Sequence, residues 1–236
     1  MVFGNRVVIV TGAGGNLGSA IAEELSRRGA TLVCADYSSA ALDATLKRLA
    51  PGATALPIAG LDLSKAEDAQ KLVAVAIERY GHVDALTNTV GGFRMAPVGP
   101  AALTEWDFLM NINARATLAT SAAVLPPMIE RRYGRIVHVA AAAGLKGGAE
   151  LAAYSASKAA VMRIVESLAE EARDHGVTAN CILPGTIDTP QNRAAMPDAD
   201  ASKWVTPANI ARVVAFLISD EGGAITGAAI PVTQRM

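Results

Sequence analysis

Cysteine is nearly absent from this 236-residue chain, and neither a long basic run nor a long apolar stretch occurs. The two thiols, Cys34 and Cys181, lie far apart and each sits inside an apolar run. Buried strand thiols are therefore expected, and a disulfide is not. Formal net charge is -1, which leaves nucleic acid and anionic membrane surfaces without an electrostatic anchor. No apolar stretch approaches the ~20 residues that a membrane helix needs. The chain reaches VVIVTGAGG within a few residues, with no long apolar region or cleavage-type site to mark a signal peptide. The expectation is a soluble cytoplasmic protein, with no metal site, no nucleic acid and no membrane among its partners.

What is present is a rhythm. Hydrophobic residues make up 51% of the chain and charged residues 18%, a globular and somewhat apolar composition. The length suits one sizeable core and is short for two full domains. Short apolar segments alternate with longer segments of helical period, the pattern of a parallel sheet covered by helices. Strands are predicted at 6–11, 31–35, 53–59, 84–88, 135–140, 178–183 and 228–232, and helices at 17–28, 40–49, 65–80, 105–131, 151–174 and 207–219. No linker, repeat or low-complexity segment interrupts them. The irregular stretch 184–206 has the length of a lid or binding loop. The fold predicted is α/β: a single Rossmann-type, doubly wound domain over residues 1–236, with seven mostly parallel strands, helices on both faces and a substrate loop at about 186–206.

After the first strand comes Thr11-Gly12-Ala13-Gly14-Gly15-Asn16-Leu17-Gly18, leading directly into a helix. Glycines there permit a tight turn and let backbone approach a pyrophosphate at the helix N-terminus, where free N–H groups and the helix dipole favour an anion. Asp36 ends the next strand, the position from which an acid accepts hydrogen bonds from an adenosine ribose diol. A carboxylate there repels a 2′-phosphate, and Gly14 and Gly15 supply no compensating cation, so NAD(H) is favoured over NADP(H). Further along, Tyr154 and Lys158 are four residues apart and emerge from one face of a helix. A neighbouring ammonium favours the ionised phenol and lowers its pKa, which makes Tyr154 a candidate proton donor and acceptor near neutral pH.

These motifs, in this order, carry a resemblance that spans nearly the whole chain. With Asp62-Leu63 after the third strand, Asn88-Thr89-Val90-Gly91 after the fourth, Asn113 in the long helix, and Pro184-Gly185 with Thr189, the sequence resembles a short-chain dehydrogenase/reductase. The resemblance implies that Gly12, Gly15, Asn16, Leu17 and Gly18 form the dinucleotide turn and that Asp62 and Leu63 meet adenine. Asn88, Gly91, Pro184 and Gly185 are implied along the cofactor groove, and Ile187 and Thr189 at the nicotinamide carboxamide. Lys158 is implied to hold the nicotinamide ribose and tune Tyr154, with Asn113 anchoring a water that relays protons to Lys158. A homo-oligomer, dimer or tetramer, is implied through the long helix and the helix of Tyr154.

Three departures from the family pattern follow. Asn16 replaces the usual middle glycine of the turn, and Asn tolerates left-handed backbone angles better than most residues. The family's Ser thirteen positions before the Tyr is Ala141 here. That Ser donates to the substrate oxygen as charge develops on it, and losing a comparable donor costs about a hundred- to a thousandfold in rate. His138 faces away from position 141 if the strand is regular and is read as a satisfied core residue. The tail, 230–236, lacks the Asp-Gly-Gly ending common in relatives, which leaves C-terminal subunit contacts open.

The branch of the family that reduces quinonoid pterins also has Ala at this position. The segment from Asp188 to Trp204 is similar to its DTPxNRxxMPxAD…W loop. Arg193, Asp198, Asp200 and Trp204 then belong either to a substrate lid or to a solvated loop clamped by Trp204. Phe93 and Met95 border the same cleft as an apolar wall or as surface cover. The function read from the sequence is hydride transfer between a nicotinamide cofactor and a conjugated carbonyl or quinonoid small molecule, with Tyr154 as acid. The alternatives are a dihydropteridine-reductase-like or imine reductase, an ordinary ketoreductase or alcohol dehydrogenase whose Ser is replaced, and a non-catalytic dinucleotide-binding protein.

Overall fold

A computed structural model describes residues 3–233; Gln234, Arg235 and Met236 of the atypical tail lie outside the described residues. Seven strands form one sheet: β1 (Val7–Thr11), β2 (Thr31–Asp36), β3 (Ala55–Ala59), β4 (Ala85–Asn88), β5 (Gly134–Val139), β6 (Val177–Pro184) and β7 (Ala229–Val232). Their order is β3-β2-β1-β4-β5-β6-β7, and every adjacent pair is parallel. The chain reverses direction across the sheet between β1 and β4, so the carboxyl ends of these strands open a crevice where ligands bind in such folds.

The helices are α1 (Asn16–Arg27), α2 (Ser39–Leu46), α3 (Ala66–Tyr80), α4 (Pro100–Leu109), α5 (Ala116–Glu130), α6 (Ala152–Ala172), α7 (Pro190–Ala195) and α8 (Pro207–Leu217). Strand alternation decides which face each covers. Along β1, Val7 and Ile9 join the core that holds Leu72 of α3, Val124 of α5 and Val165 of α6. Val8 and Val10 point the other way, against Ile21 of α1 and Val214 of α8. Each such buried aliphatic side chain contributes about 1.5–3 kcal/mol, so a one-residue slip of β1 would forfeit both layers at once.

Three differences from the sequence-based expectation stand out. The helix expected at 105–131 begins earlier, at Pro100, and is interrupted by a π-helical segment, Met110–Arg115, between α4 and α5. Helix α2 stops at Leu46 rather than 49. The loop expected to be irregular contains α7 and a 3-10 turn, Ala201–Lys203. Cys34 and Cys181 are free and buried on β2 and β6, and burial pushes their thiols up to about 12 and about 11. Among the described residues no helix is long and apolar enough to cross a membrane, and no His, Cys, Asp and Glu cluster is suited to a metal ion.

Candidate active site

The turn after β1 is fixed by close backbone approach. Gly12 has φ 65°, and a Cβ on Gly18 would lie 2.1 Å from the Gly12 carbonyl oxygen, so both positions require glycine. Thr89, just past β4, donates its hydroxyl to the Thr11 carbonyl at 2.7 Å and holds the turn against the neighbouring strand. Gly15 caps α1 without a side-chain hydrogen bond, so no side-chain oxygen competes for the N–H groups that open the helix. Asp36 accepts from the Gly14 N–H at 2.8 Å and from the Ser38 N–H at 2.9 Å, which braces its carboxylate at the mouth of the turn. A backbone cradle at an uncapped helix N-terminus, flanked by a braced carboxylate, fits a dinucleotide: pyrophosphate at α1, ribose hydroxyls at Asp36. Asn16 does not need the left-handed tolerance expected of it, because it is the first residue of α1 and has no positive φ. Its side chain instead donates to Gln191 Oε1 at 2.8 Å, tying the turn to α7.

Not every residue placed along the groove by resemblance presents its side chain there. Leu63 is buried in the core. Asp62 accepts from the N–H and hydroxyl of Ser64, which shapes the bend after β3. Asn88 is buried: its Oδ1 accepts from Thr11 Oγ1 at 2.5 Å and from the Val90 N–H at 3.2 Å, while Nδ2 meets His138 Nδ1 at 3.1 Å. His138 Nε2 lies 2.8 Å from Ser121 Oγ. With Asn88 donating to Nδ1, the tautomer has its proton on Nε2, which donates to Ser121. Burial first, then the Lys158 charge, holds His138 down to about 3. It is a neutral, satisfied core residue.

Tyr154 and Lys158 stand one turn apart on α6. Lys158 is buried and its Nζ donates to the Val139 carbonyl at the end of β5, at 2.9 Å; Nζ is 6.0 Å from the Tyr154 ring centre. Desolvation lowers Lys158 to about 8 and raises Tyr154 above its ordinary value. Burial thus acts against the lowering expected of an ammonium neighbour. Asn113 lies in the π-helical segment, a device common at functional sites. It clamps Gly92 from both sides, accepting from its N–H at 2.9 Å and donating to its carbonyl at 3.0 Å, and also donates to Ser157 Oγ at 3.0 Å. Both amide hydrogens of Asn113 are therefore engaged and its Oδ1 already accepts one hydrogen bond, leaving a single Oδ1 lone pair for any water. A Cβ on Gly91 would lie 2.8 Å from Asn113 Oδ1 and 3.2 Å from Lys158 Nζ, so only glycine lets the strand end reach this corner.

Ala141 follows β5 in extended backbone (φ -161°, ψ 157°) and opens the 3-10 turn Ala142–Gly144. That turn presses on α6, where a Cβ on Gly144 would lie 2.9 Å from the Lys158 carbonyl carbon. Four successive alanines, 140–143, carry no donor in their side chains. Ser157 is engaged with the Tyr154 carbonyl at 2.8 Å. Ser155 is buried with its hydroxyl unpartnered. The Phe93 ring meets the Tyr154 ring edge to face, centres 4.8 Å apart, while Met95 is half exposed beyond it.

The loop after β6 is closed at its base by a parallel bridge between Ile187 and Val205. The Thr189 hydroxyl caps α7 by accepting from the Asn192 N–H, and the Ile187 carbonyl accepts from Asn192 Nδ2 at 2.8 Å. Gly185 donates its N–H to the Val232 carbonyl, and Pro184 ends β6 fully buried. Arg193 forms a two-point pair with Asp188, at 2.6 and 2.9 Å. Asp200 caps the 3-10 turn through Ser202, and Trp204 is buried at 7% exposure. This burial suits Trp204 as a clamp of the loop.

A sequence profile described as short chain dehydrogenase matches residues 6–200. The chain belongs to the short-chain dehydrogenase family. It is similar to 2-(S)-hydroxypropyl-CoM dehydrogenase 3 of Xanthobacter autotrophicus, with 31% identity covering 98% of this chain and 96% of that one. It is similar also to acetoacetyl-CoA reductase of Allochromatium vinosum, with 32% identity over 96% of each. The crystal structure of levodione reductase superposes with a TM-score of 0.92 at 29% identity, covering 98% of this chain and 97% of the other. As a member of this family the chain is an NAD(P)(H)-dependent oxidoreductase with a Tyr–Lys catalytic arrangement.

Several structural partners of the short-chain dehydrogenase site escaped sequence reasoning. Thr189-Pro190 and Asp200 carried legible helix-start signals, a capping side chain and a Pro at the first helical position. Gln191 carried none, because its partner Asn16 is 175 positions away.

Proposed function

We propose that this short-chain dehydrogenase reduces a conjugated carbonyl or quinonoid small molecule with NADH, Tyr154 acting as the general acid. The observation that carries the reading is an intact Tyr154–Lys158 pair beside a turn, 140–143, with no side-chain donor. A bound NADH supplies hydride to the electrophilic carbon of the substrate. Tyr154 gives its phenolic proton to the substrate oxygen. Lys158 is buried one helical turn from Tyr154, and its position beside Gly91 suits a hydrogen bond to a ribose.

The substrate class follows from the missing donor. In a simple ketone the developing charge concentrates on one oxygen, and Tyr154 alone must stabilise it; a second donor is worth about two to three orders of magnitude there. A conjugated or quinonoid acceptor spreads that charge and depends less on the second donor. Phe93 against Tyr154 suits a flat substrate. Asp36 supports NADH, since its braced carboxylate accepts a ribose diol and repels a 2′-phosphate. A quinonoid pterin is a second reading, favoured by Ala141 together with the 188–204 sequence pattern; Arg193, already paired with Asp188, counts against a direct contact in it.

The test is NADH oxidation with a panel of quinones, quinonoid dihydropterin and simple β-keto esters, alongside Tyr154→Phe. Turnover of quinonoid substrates that falls at least a hundredfold in the variant supports the reading. Activity on keto esters alone would sink it, and unchanged turnover in Tyr154→Phe would remove Tyr154 from the mechanism. We also propose a homo-oligomer through α5 and α6, whose shared face carries an apolar groove of about 350 Å³ lined by Leu118, Leu125 and Ile164. Light scattering that gives a monomer mass at micromolar concentration would exclude it.

A further inference from the structure

Three segments border the crevice at the strand ends: 91–99 after β4, 142–151 after β5, and 186–206 after β6. The first two are joined to each other and to α6. Phe93 lies on Tyr154, the Ala96 N–H donates to the Glu150 carbonyl at 2.9 Å, and the 142–144 turn is pressed on α6 at Lys158. Each segment presents a large, exposed apolar side chain: Phe93, Met95 and Val98 from the first, Leu145 from the second, Met196 from the third. Loops normally carry polar residues on their outer surface, so exposed apolar side chains on three loops at the strand ends, one of them in contact with Tyr154, describe an apolar entrance.

The same segments hold three of their cations in ion pairs within the protein. They contain four cations, Arg94, Lys146, Arg193 and Lys203, and four carboxylates, Glu150, Asp188, Asp198 and Asp200. Arg94 pairs with Glu105 of α4 at 3.2 Å, and its guanidinium stacks on the Phe108 ring at 3.8 Å. Arg193 makes its two-point pair with Asp188. Lys203 lies 3.9 Å from Asp200. Among the described residues of this rim, Lys146 alone of the four cations has no carboxylate partner, and it is exposed on the 144–148 turn. An anionic substrate would therefore meet guanidinium groups already neutralised, beside an apolar wall that gives a carboxylate or phosphate no compensation for lost water.

We propose that the substrate is uncharged and apolar, and that this entrance discriminates against carbonyl compounds carrying a carboxylate, sulfonate or phosphate. The inference rests on the proposed reductase activity at Tyr154, but not on conjugation in the substrate. Discrimination arises because both Arg94 and Arg193 are held by partners within the protein. Releasing one of them should restore part of the affinity for an anion.

The experiment uses matched pairs on the NADH-loaded protein: 1,2-naphthoquinone against its 4-sulfonate, and ethyl acetoacetate against acetoacetyl-CoA. Both kcat/KM and the Kd from calorimetry are read for each member. The neutral member should be favoured by about tenfold or more in whichever pair is accepted. In Glu105→Gln, which frees Arg94, the disadvantage of the anionic member should shrink about three- to tenfold while the neutral member is unchanged. Lys146→Gln should leave both preferences as they were. Equal or tighter binding of the anionic members, or a preference for them that disappears in Lys146→Gln, would overturn the proposal. If only the keto-ester pair is turned over, the quinonoid reading fails, and the preference between ethyl acetoacetate and acetoacetyl-CoA still decides this inference.

Discussion

Restoring a hydroxyl at position 141 is the most direct perturbation of the site. Ala141 has extended backbone that serine adopts without strain, and its carbonyl is already fixed by the Gly144 N–H at 2.9 Å. The Ala141→Ser side chain adds one polar atom on a half-buried position beside the Tyr154–Lys158 turn. A full oxyanion donor is worth about 2.7–4 kcal/mol. A serine here also has local competition, since its hydroxyl can bond the backbone N–H groups of the turn it opens. Taking about 1 kcal/mol for that competition leaves about 2–3 kcal/mol, or roughly a thirty- to a hundred-and-fiftyfold gain in kcat/KM for a simple ketone. For a quinonoid substrate, whose charge is delocalised, the gain should stay below about threefold. Steady-state NADH oxidation on both substrates measures this, with a melting curve to show that the fold is intact. A similar gain on both substrates, or none on the ketone with the melting temperature unchanged, would refute the placement of the missing donor.

Two further outcomes test the surroundings of that site. His138 is held down to about 3 from an ordinary 6.5, so between those values the unfolded chain binds the extra proton and stability rises with pH. That contribution is complete above about 6.5 and is lost at about 1.4 kcal/mol per pH unit on acidification toward 3. His138→Asn should flatten the slope of unfolding free energy against pH in that window by this amount, measured by denaturant titration; parallel slopes would mean that His138 is not a buried neutral group. Asp36→Asn removes the carboxylate charge while keeping an acceptor for one of its two backbone donors. Repulsion of a 2′-phosphate at about 5 Å amounts to roughly 1–3 kcal/mol, so the NADPH-to-NADH ratio of kcat/KM should rise about tenfold, and an unchanged ratio would remove Asp36 from cofactor choice.

The fold was legible because its signals are local. The continuous apolar run of Val7–Thr11, buried on both faces, and the helical period of Ala66–Tyr80 each report burial within a few residues. Pro100 marked a helix start that the apolar period alone did not reveal. The π-helical segment had no comparable signal, because widening one turn around Asn113 answers to a partner, Gly92, that is 21 positions away. The same distinction runs through the site. The Tyr154–Lys158 spacing can be read from the chain. The direction of the Tyr154 shift cannot, since it depends on how deeply the ring is buried and how far Nζ lies from it.

The two halves of the crevice differ in how much change they can absorb. On the cofactor side, Gly18 and Gly91 leave no room for a Cβ, and Asn113 has both amide hydrogens committed. Almost any substitution there moves backbone that lines the crevice at the strand ends. On the substrate side, Ala141 is half buried and Phe93, Met95, Leu145 and Met196 are exposed, so side chains can change there with little effect on the core. On the proposed function, a serine-to-alanine difference at 141 would leave the hydride- and proton-transfer frame in place and act on which oxygen can bear the developing charge. On the same proposal, the altered position would select among acceptors by their own ability to delocalise charge, and the protein's contribution to catalysis would be concentrated in Tyr154, Lys158 and the glycines beside them.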